Sequence, residues 1–149
     1  MAIVQTAGTE IIRAHHFSDL AGEQTIIVGV QHHIYTVLSI VVYCKVLNAT
    51  TDVLKLWLRA WDNIDGDSAT ASNYIFQQNI QVGQTFVWND KFSFNGYEPT
   101  GVSTSLDTEA EQTALAAQGG SVAQMLMMSV THGSDDFDVT VTFIDQNNS

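Results

Sequence analysis

The side chains best suited to chemistry in this chain are its five histidines, its acidic loops and its single thiol. The histidines occur as two adjacent pairs, His15-His16 and His32-His33, with His132 on its own. Neighbours on a strand point to opposite faces, so an adjacent pair serves shared metal ligation less well than an H-x-H pair. The H-x-H followed closely by Glu that a cupin metal site uses is missing, and exposed turn histidines are the expected reading. The stretch Asp62-Asn63-Ile64-Asp65-Gly66-Asp67 has the composition of a calcium loop. Placing Gly66 sixth in an EF-hand register makes Trp61 the first residue and Ser72 the twelfth, and neither suits the geometry. A looser carboxylate site is the alternative there. Ser134-Asp135-Asp136 with Asp138 reads as a solvated turn. Cys44 is the only cysteine and lies in an apolar run, so it reads as a buried, inert thiol with no disulfide partner in its own chain. Nucleophile-elbow, Walker A, H-E-x-x-H and Cys–His patterns do not occur. Carboxylate pairs fall only in loops, where spacing alone cannot define a glycosidase. The expectation is a protein that is not an enzyme, with no cofactor and no metal.

Composition turns attention from chemistry to contact. Only 14% of the 149 residues are charged, against roughly a quarter in soluble domains. A lone domain needs charge to keep its exterior hydrated, so this scarcity implies surface that meets other protein. The formal net charge is −11, from 16 acidic against five basic residues. Such a chain is repelled by phosphate backbones and lacks the basic stripe that counterion release requires, so nucleic acid is not an expected partner. An anionic membrane is not an expected partner on the same ground, and no apolar run approaches the ~20 residues of a spanning helix. Residues 1–20 show no basic start followed by an apolar block, so no secretory signal is expected and synthesis in a reducing cytoplasm is.

The elements that would position any site are almost all strands. Residues 1–24 read as an extended N-terminal arm or edge segment, and 25–149 as a single β-sandwich domain. Strand patterns cover Thr25–Val30, Ile34–Val46, Asp52–Trp61, Asn73–Ile80, Thr85–Trp88, Phe92–Phe94, Val122–Val130 and Phe137–Asp145. In Ile34–Val46 apolar residues occupy both parities, which predicts a strand covered on both faces. Asn89-Asp90 predicts a tight hairpin, and Asn95–Ser105 a loop holding the only proline, Pro99. One helix is expected over Thr108–Gln118: Thr108 and Glu111 match a capping box, alanines favour the interior, and Gly119-Gly120 stops it. Short strands with turns about every ten residues and no βαβ alternation predict an all-β antiparallel sandwich of jelly-roll or Greek-key type.

Asp52–Trp61 carries the clearest interface signal. Leu54, Leu56, Leu58 and Ala60 share one face, and Val53, Lys55, Trp57, Arg59 and Trp61 the other. Trp and Arg are favoured where proteins meet, so Trp57, Arg59 and Trp61 are interface candidates, together with Ile3, Val4, Ile11 and Ile12 of the arm. Simple half-burial of the aromatics under a loop is the competing reading. A further alternative has Trp57, Trp61, Tyr74 and Trp88 form a sugar-stacking platform, as in carbohydrate-binding jelly rolls.

The run Ile34-Tyr35-Thr36-Val37-Leu38-Ser39-Ile40-Val41-Val42, then a turn and a strand of alternating aliphatics, then Gly83-Gln84-Thr85-Phe86-Val87-Trp88, and a terminal Val139-Thr140-Val141-Thr142-Phe143 resembles small tailed-bacteriophage virion proteins. The resemblance spans roughly residues 25–145, rests on strand pattern, and departs from the simplest members in the long insertion at 95–120. It implies a β-sandwich component of a phage particle: a capsid cement (decoration) protein, or else a neck, tail-accessory or fibre-adaptor protein. Its expected partners are copies of itself, as a homotrimer, and the major capsid protein or other virion proteins. Its expected place is the outer capsid surface or the neck and tail.

Overall fold

Side chains that alternate every second residue between a dry and a wet side build this molecule. The computed structural model describes residues 9–20, 22–48, 52–61, 70–99, 108–117 and 121–147. In chain order the strands are β1 (Thr9–Leu20), β2 (Glu23–Val28), β3 (His33–Val46), β4 (Asp52–Trp61), β5 (Thr70–Ile80), β6 (Thr85–Trp88), β7 (Phe92–Asn95), β8 (Tyr97–Pro99), β9 (Ser121–Ala123), β10 (Met125–Ser129) and β11 (Asp136–Asn147). Helix α1 (Glu109–Ala116) falls between β8 and β9.

Two antiparallel sheets face one another. The larger runs β1-β11-β3-β6 with β7 also on β3, the smaller runs β2-β10-β4-β5, and β8 pairs with β9 as a separate ribbon. Strands β6 and β7 lie end to end along the same side of β3: Tyr43 to Ile40 meet Thr85 to Trp88, and Val37 to Ile34 meet Phe92 to Asn95. Counted as one interrupted strand, they complete two four-stranded sheets in the order of a jelly roll. The all-β antiparallel sandwich is therefore what the chain forms.

The hairpin expected at Asn89-Asp90 is absent. Both β6 and β7 run antiparallel to β3, so the chain does not reverse between them. Asn89, Asp90 and Lys91 instead stand opposite Leu38 and Ser39, which is a bulge rather than a turn. Beside it, β3 slips against β11, with Thr142 opposite Ser39 but Phe143 opposite Val37. This double irregularity rotates β3 by one position. Tyr35 and Val37 point inward before it, and Ile40, Val42 and Cys44 after it. That is why both parities are apolar, and it corrects the expectation of a strand covered on both sides: Val41 and Tyr43 are exposed.

The core fills with the predicted inward sets. Phe137, Val139, Val141 and Phe143 of β11 meet Leu54 and Leu56 of β4 and Leu126 and Met128 of β10. Fully burying such a side chain stabilises by about 1.5–3 kcal/mol. Thr9–Leu20, which the sequence places in an arm or edge segment, is the edge strand of the larger sheet, with Phe17 in the core.

Two local departures have a backbone cause. The continuous strand expected over Val122–Val130 breaks at Gln124, whose N–H donates to the Gly96 carbonyl and whose carbonyl accepts from the Gly29 N–H, both at 2.8 Å. The loop expected at Asn95–Ser105 holds β8, paired from Tyr97 to Pro99 with β9. Turns follow ordinary chemistry. His33 N–H donates to the Val30 carbonyl across Gln31-His32, with His32 at φ 65°, a region where His is tolerated better than branched residues. Gln84 N–H closes the next turn onto Gln81 around Gly83 at φ 84°.

Candidate interaction surface

The sequence candidates are scattered. Ile3 and Val4 lie outside the described residues, as does the acidic stretch at 62–67. Ile11 and Ile12 are exposed on β1. Arg59 is exposed on β4, and Trp61 ends that strand opposite Thr70. Trp57, however, is only 7% exposed. It lies opposite Met127 of β10 and Tyr74 of β5, and its ring centroid is 5.7 Å from that of Tyr74. Alternation correctly put Trp57 on the outer side of the smaller sheet, but the side chain is buried there. The proposed sugar platform also comes apart. Trp88 sits opposite core residue Ile40 and packs on Phe76 at 5.4 Å, on the inward side, away from Trp57 and Tyr74.

Several polar residues hold the fold together, Asp135 and His33 among them, which the sequence places in solvent-exposed turns. Asp135 is buried, not solvated: its carboxylate accepts from Asn48 N–H at 2.8 Å and His132 N–H at 3.2 Å. Asp52, also buried, accepts from Val53 N–H at 2.6 Å and Thr131 N–H at 2.9 Å. His33 is not a free turn histidine either. Its Nδ1–H donates to Asp145 Oδ1 at 2.5 Å, while Arg13 Nε lies 3.3 Å from Asp145 Oδ2. This buried carboxylate ties β1, β11 and β3 together. Tyr35 stacks between His33 and Phe94, and its hydroxyl accepts from Val30 N–H at 3.1 Å. Burial pushes the Tyr35 hydroxyl above its ordinary range, with the Asp145 charge adding to the effect. Burial likewise raises the Cys44 thiol, helped by Asp52 and Asp136, which keeps it protonated and unreactive at neutral pH. Among the described residues no three His, Cys, Asp or Glu side chains gather as metal ligands.

The surface with a distinctive character is the outer face of the larger sheet. Cross-strand pairing lays its residues out in rows. One row reads Ile12, Ile144, Thr36 and Ser93, the next Ala14, Thr142 and Ser39, and the next His16, Thr140, Val41 and Val87. The row beyond holds Asp138, Tyr43 and Thr85. Ile12 is 71% exposed, Val87 53%, Tyr43 43% and Val41 37%. Two pairs of polar groups between them bond one another: His16 Nδ1 with Thr140 Oγ1 at 2.8 Å, and Thr36 Oγ1 with Ser93 Oγ at 2.8 Å. Among the described residues, charge is confined to the margins of this face. Lys45 Nζ lies 3.1 Å from Asp138 and 3.3 Å from Asp136 at one end, Glu10 stands at the other, and Asp90-Lys91 at the bulge. Sequence reasoning missed this face because the slip in β3 hides the shared orientation of Val41, Tyr43 and Ile144.

What fold and surface define is a jelly-roll sandwich with an open neutral sheet face. No family model and no curated protein matches the chain. Among solved structures it is similar to a pilus protein of Bacillus endospore appendages, at 7% identity and TM-score 0.42, covering 100% of this chain and 96% of the other. It is also similar to the C-terminal family 22 carbohydrate-binding module of Clostridium thermocellum Xyn10B, at 9% identity and TM-score 0.47, covering 97% and 88%. A third is a protein of infectious bursal disease virus strain Gx, at 9% identity and TM-score 0.43, covering 93% of this chain and 32% of that one. These likenesses concern chain trace and carry no function with them.

Proposed function

We propose that the chain is a non-enzymatic structural protein of a virion, of the capsid cement or decoration type, which works by attaching to a shell and to copies of itself. The observation that carries this reading is the open outer face of the larger sheet. It presents Ile12, Val41, Tyr43 and Val87 to solvent with no charge at its centre, on a chain of net charge −11. Exposed apolar side chains in contact with water are unfavourable, and here they stand among neutral Thr, Ser and His side chains on one sheet face, a composition suited to contact with other protein. A cement protein needs no reacting group. It adds buried area between shell subunits, and several modest contacts acting together give firm attachment. The strand phrasing shared with small phage virion proteins supports the same reading. A neck, tail-accessory or fibre-adaptor role would use the same chemistry at another place on the particle. The sugar-binding alternative loses its platform, because Trp57 is covered and Trp88 faces inward.

The test is immunogold electron microscopy of particles produced by the source that encodes the chain, with antibody raised against the purified protein. Regular labelling on the particle is expected. Particles that assemble and purify without label would overturn the proposal.

A further inference from the structure

The proposed structural role leaves open what covers the neutral face, and this inference rests on that role while going beyond it. We infer that the outer face of the larger sheet packs against the same face of a second copy, about a two-fold axis lying between the two sheets near Val41 and Val87.

Area supports a protein partner of this size. Four strand positions spaced ~4.8 Å apart give a width of ~19 Å, and the 12 residues of β11 at ~3.4 Å each give a length of ~41 Å. The product, ~780 Å², matches the roughly 800 Å² per partner of a standard stable interface. Shape agrees as well. Two twisted sheets pack face to face with strands inclined by about 30°, and short branched side chains interdigitate at such contacts. Here the central rows hold Ala14, Val41 and Val87 among Thr140, Thr142, Ser39 and His16, with charges only at the rim, which is the layout of a protein interface.

Charge selects the occupant. A basic partner gains most from the acidic remainder of the molecule and nothing from a face with no charge to complement. A second acidic copy is in the opposite position: it is repelled by most of the surface and on this face meets like charge only at the margins. An isologous contact also closes on itself, so association stops at two chains and does not propagate. A two-fold pair thus takes the place of the three-fold arrangement that the sequence resemblance implies. Two back-to-back sandwiches would turn both smaller sheets away from the contact.

Sedimentation velocity of the purified full chain at micromolar concentration tests this. Wild type is expected to sediment as a species of twice the 16.3 kDa chain mass. Val87→Glu, which puts like charges together at the axis, is expected to weaken pairing by roughly 100-fold or more. Its circular dichroism melt should stay at the wild-type temperature, since Val87 is exposed in the single chain. Val28→Glu, at an exposed position on the outer side of the smaller sheet, should leave the pair intact. Mixing Val87→Glu with Val87→Lys should restore a two-chain species, which covers the case where one variant alone behaves poorly. A wild-type pair that survives Val87→Glu and Val41→Glu overturns the assignment of this face while leaving the structural role standing. A wild-type monomer that still labels particles also overturns it, and shows that another protein covers the face. Absence of particle labelling bears on the structural role alone.

Discussion

Gly29 and Gly96 cross backbone against backbone with no space for a side chain on either. A Cβ on Gly29 would overlap the Gly96 carbonyl oxygen and lie 2.7 Å from that of Gln124, and one on Gly96 would overlap the Val30 carbonyl oxygen. The contact joins the end of β2, the β7–β8 corner and the β9–β10 break. Every atom in the way is backbone, so relief requires the strands themselves to separate. Gly29→Ala should therefore cost about 3 kcal/mol or more, read by urea denaturation as a lower midpoint at unchanged slope. Gly133, where an added Cβ meets nothing, should accept Ala with a change of about 0.5 kcal/mol or less.

Trp57 and Arg59 share a strand face but differ in cover. Trp57→Ala opens a cavity under Tyr74 and beside Met127 and should destabilise by about 3–5 kcal/mol. Arg59→Ala changes an exposed side chain and should move stability by no more than about 0.5 kcal/mol. Thermal melts of the two variants check this. Equal effects would contradict the burial of Trp57.

Asp145 accepts from both His33 and Arg13, so Asp145→Asn keeps an acceptor for the imidazole but loses the charge that holds the guanidinium. A loss of about 1–3 kcal/mol is expected. The sharper readout is hydrogen exchange, because β1 is an edge strand that depends on this tie. Amides of residues 11–15 should lose protection before those of β3.

Alkaline pH should weaken the fold. Tyr35 and Cys44 both have pKa values shifted upward by burial from the ordinary 10.0 and 9.0. A raised value means the folded chain holds its proton more tightly than the unfolded one, so the contribution is intact below the ordinary value and is lost as pH rises toward the folded one. Stability measured against pH should decline from about pH 9 upward. Tyr35→Phe and Cys44→Ala should flatten that decline.

Strand identity was legible in the sequence wherever one face is dry and the other wet. Asp52–Trp61 and Thr85–Trp88 have the bounds their alternation predicts, and β11 differs only at its ends. The inward sets of β4 and β11 were legible for the same reason. What escaped was set by partners rather than by local pattern. Asn89-Asp90 has the residue types of a turn, and only pairing of both flanks to β3 makes it a bulge. Alternation says which way Trp57 points, but not that it is buried there with Tyr74 against its ring. Asp135 reads as a hydrated turn residue because the amides it accepts belong to Asn48 and His132, one of them distant in the chain. Strand β1 was faint because its inward positions include Arg13 and His15, paired with Phe143 and Val141 and useful only once Asp145 and the Ile26 carbonyl are in place.

Strand β11 lies between β1 and β3 in the larger sheet. During synthesis, therefore, two long ribbons emerge with their shared edge partner still unmade, and that sheet can assemble only after residue 147 has left the ribosome. Pairings so distant in the chain form slowly, on the order of milliseconds to seconds. Until they do, Val139's future neighbours, Phe17 and Val42, stay unpaired, and the chain is at its most adhesive before β11 takes its place.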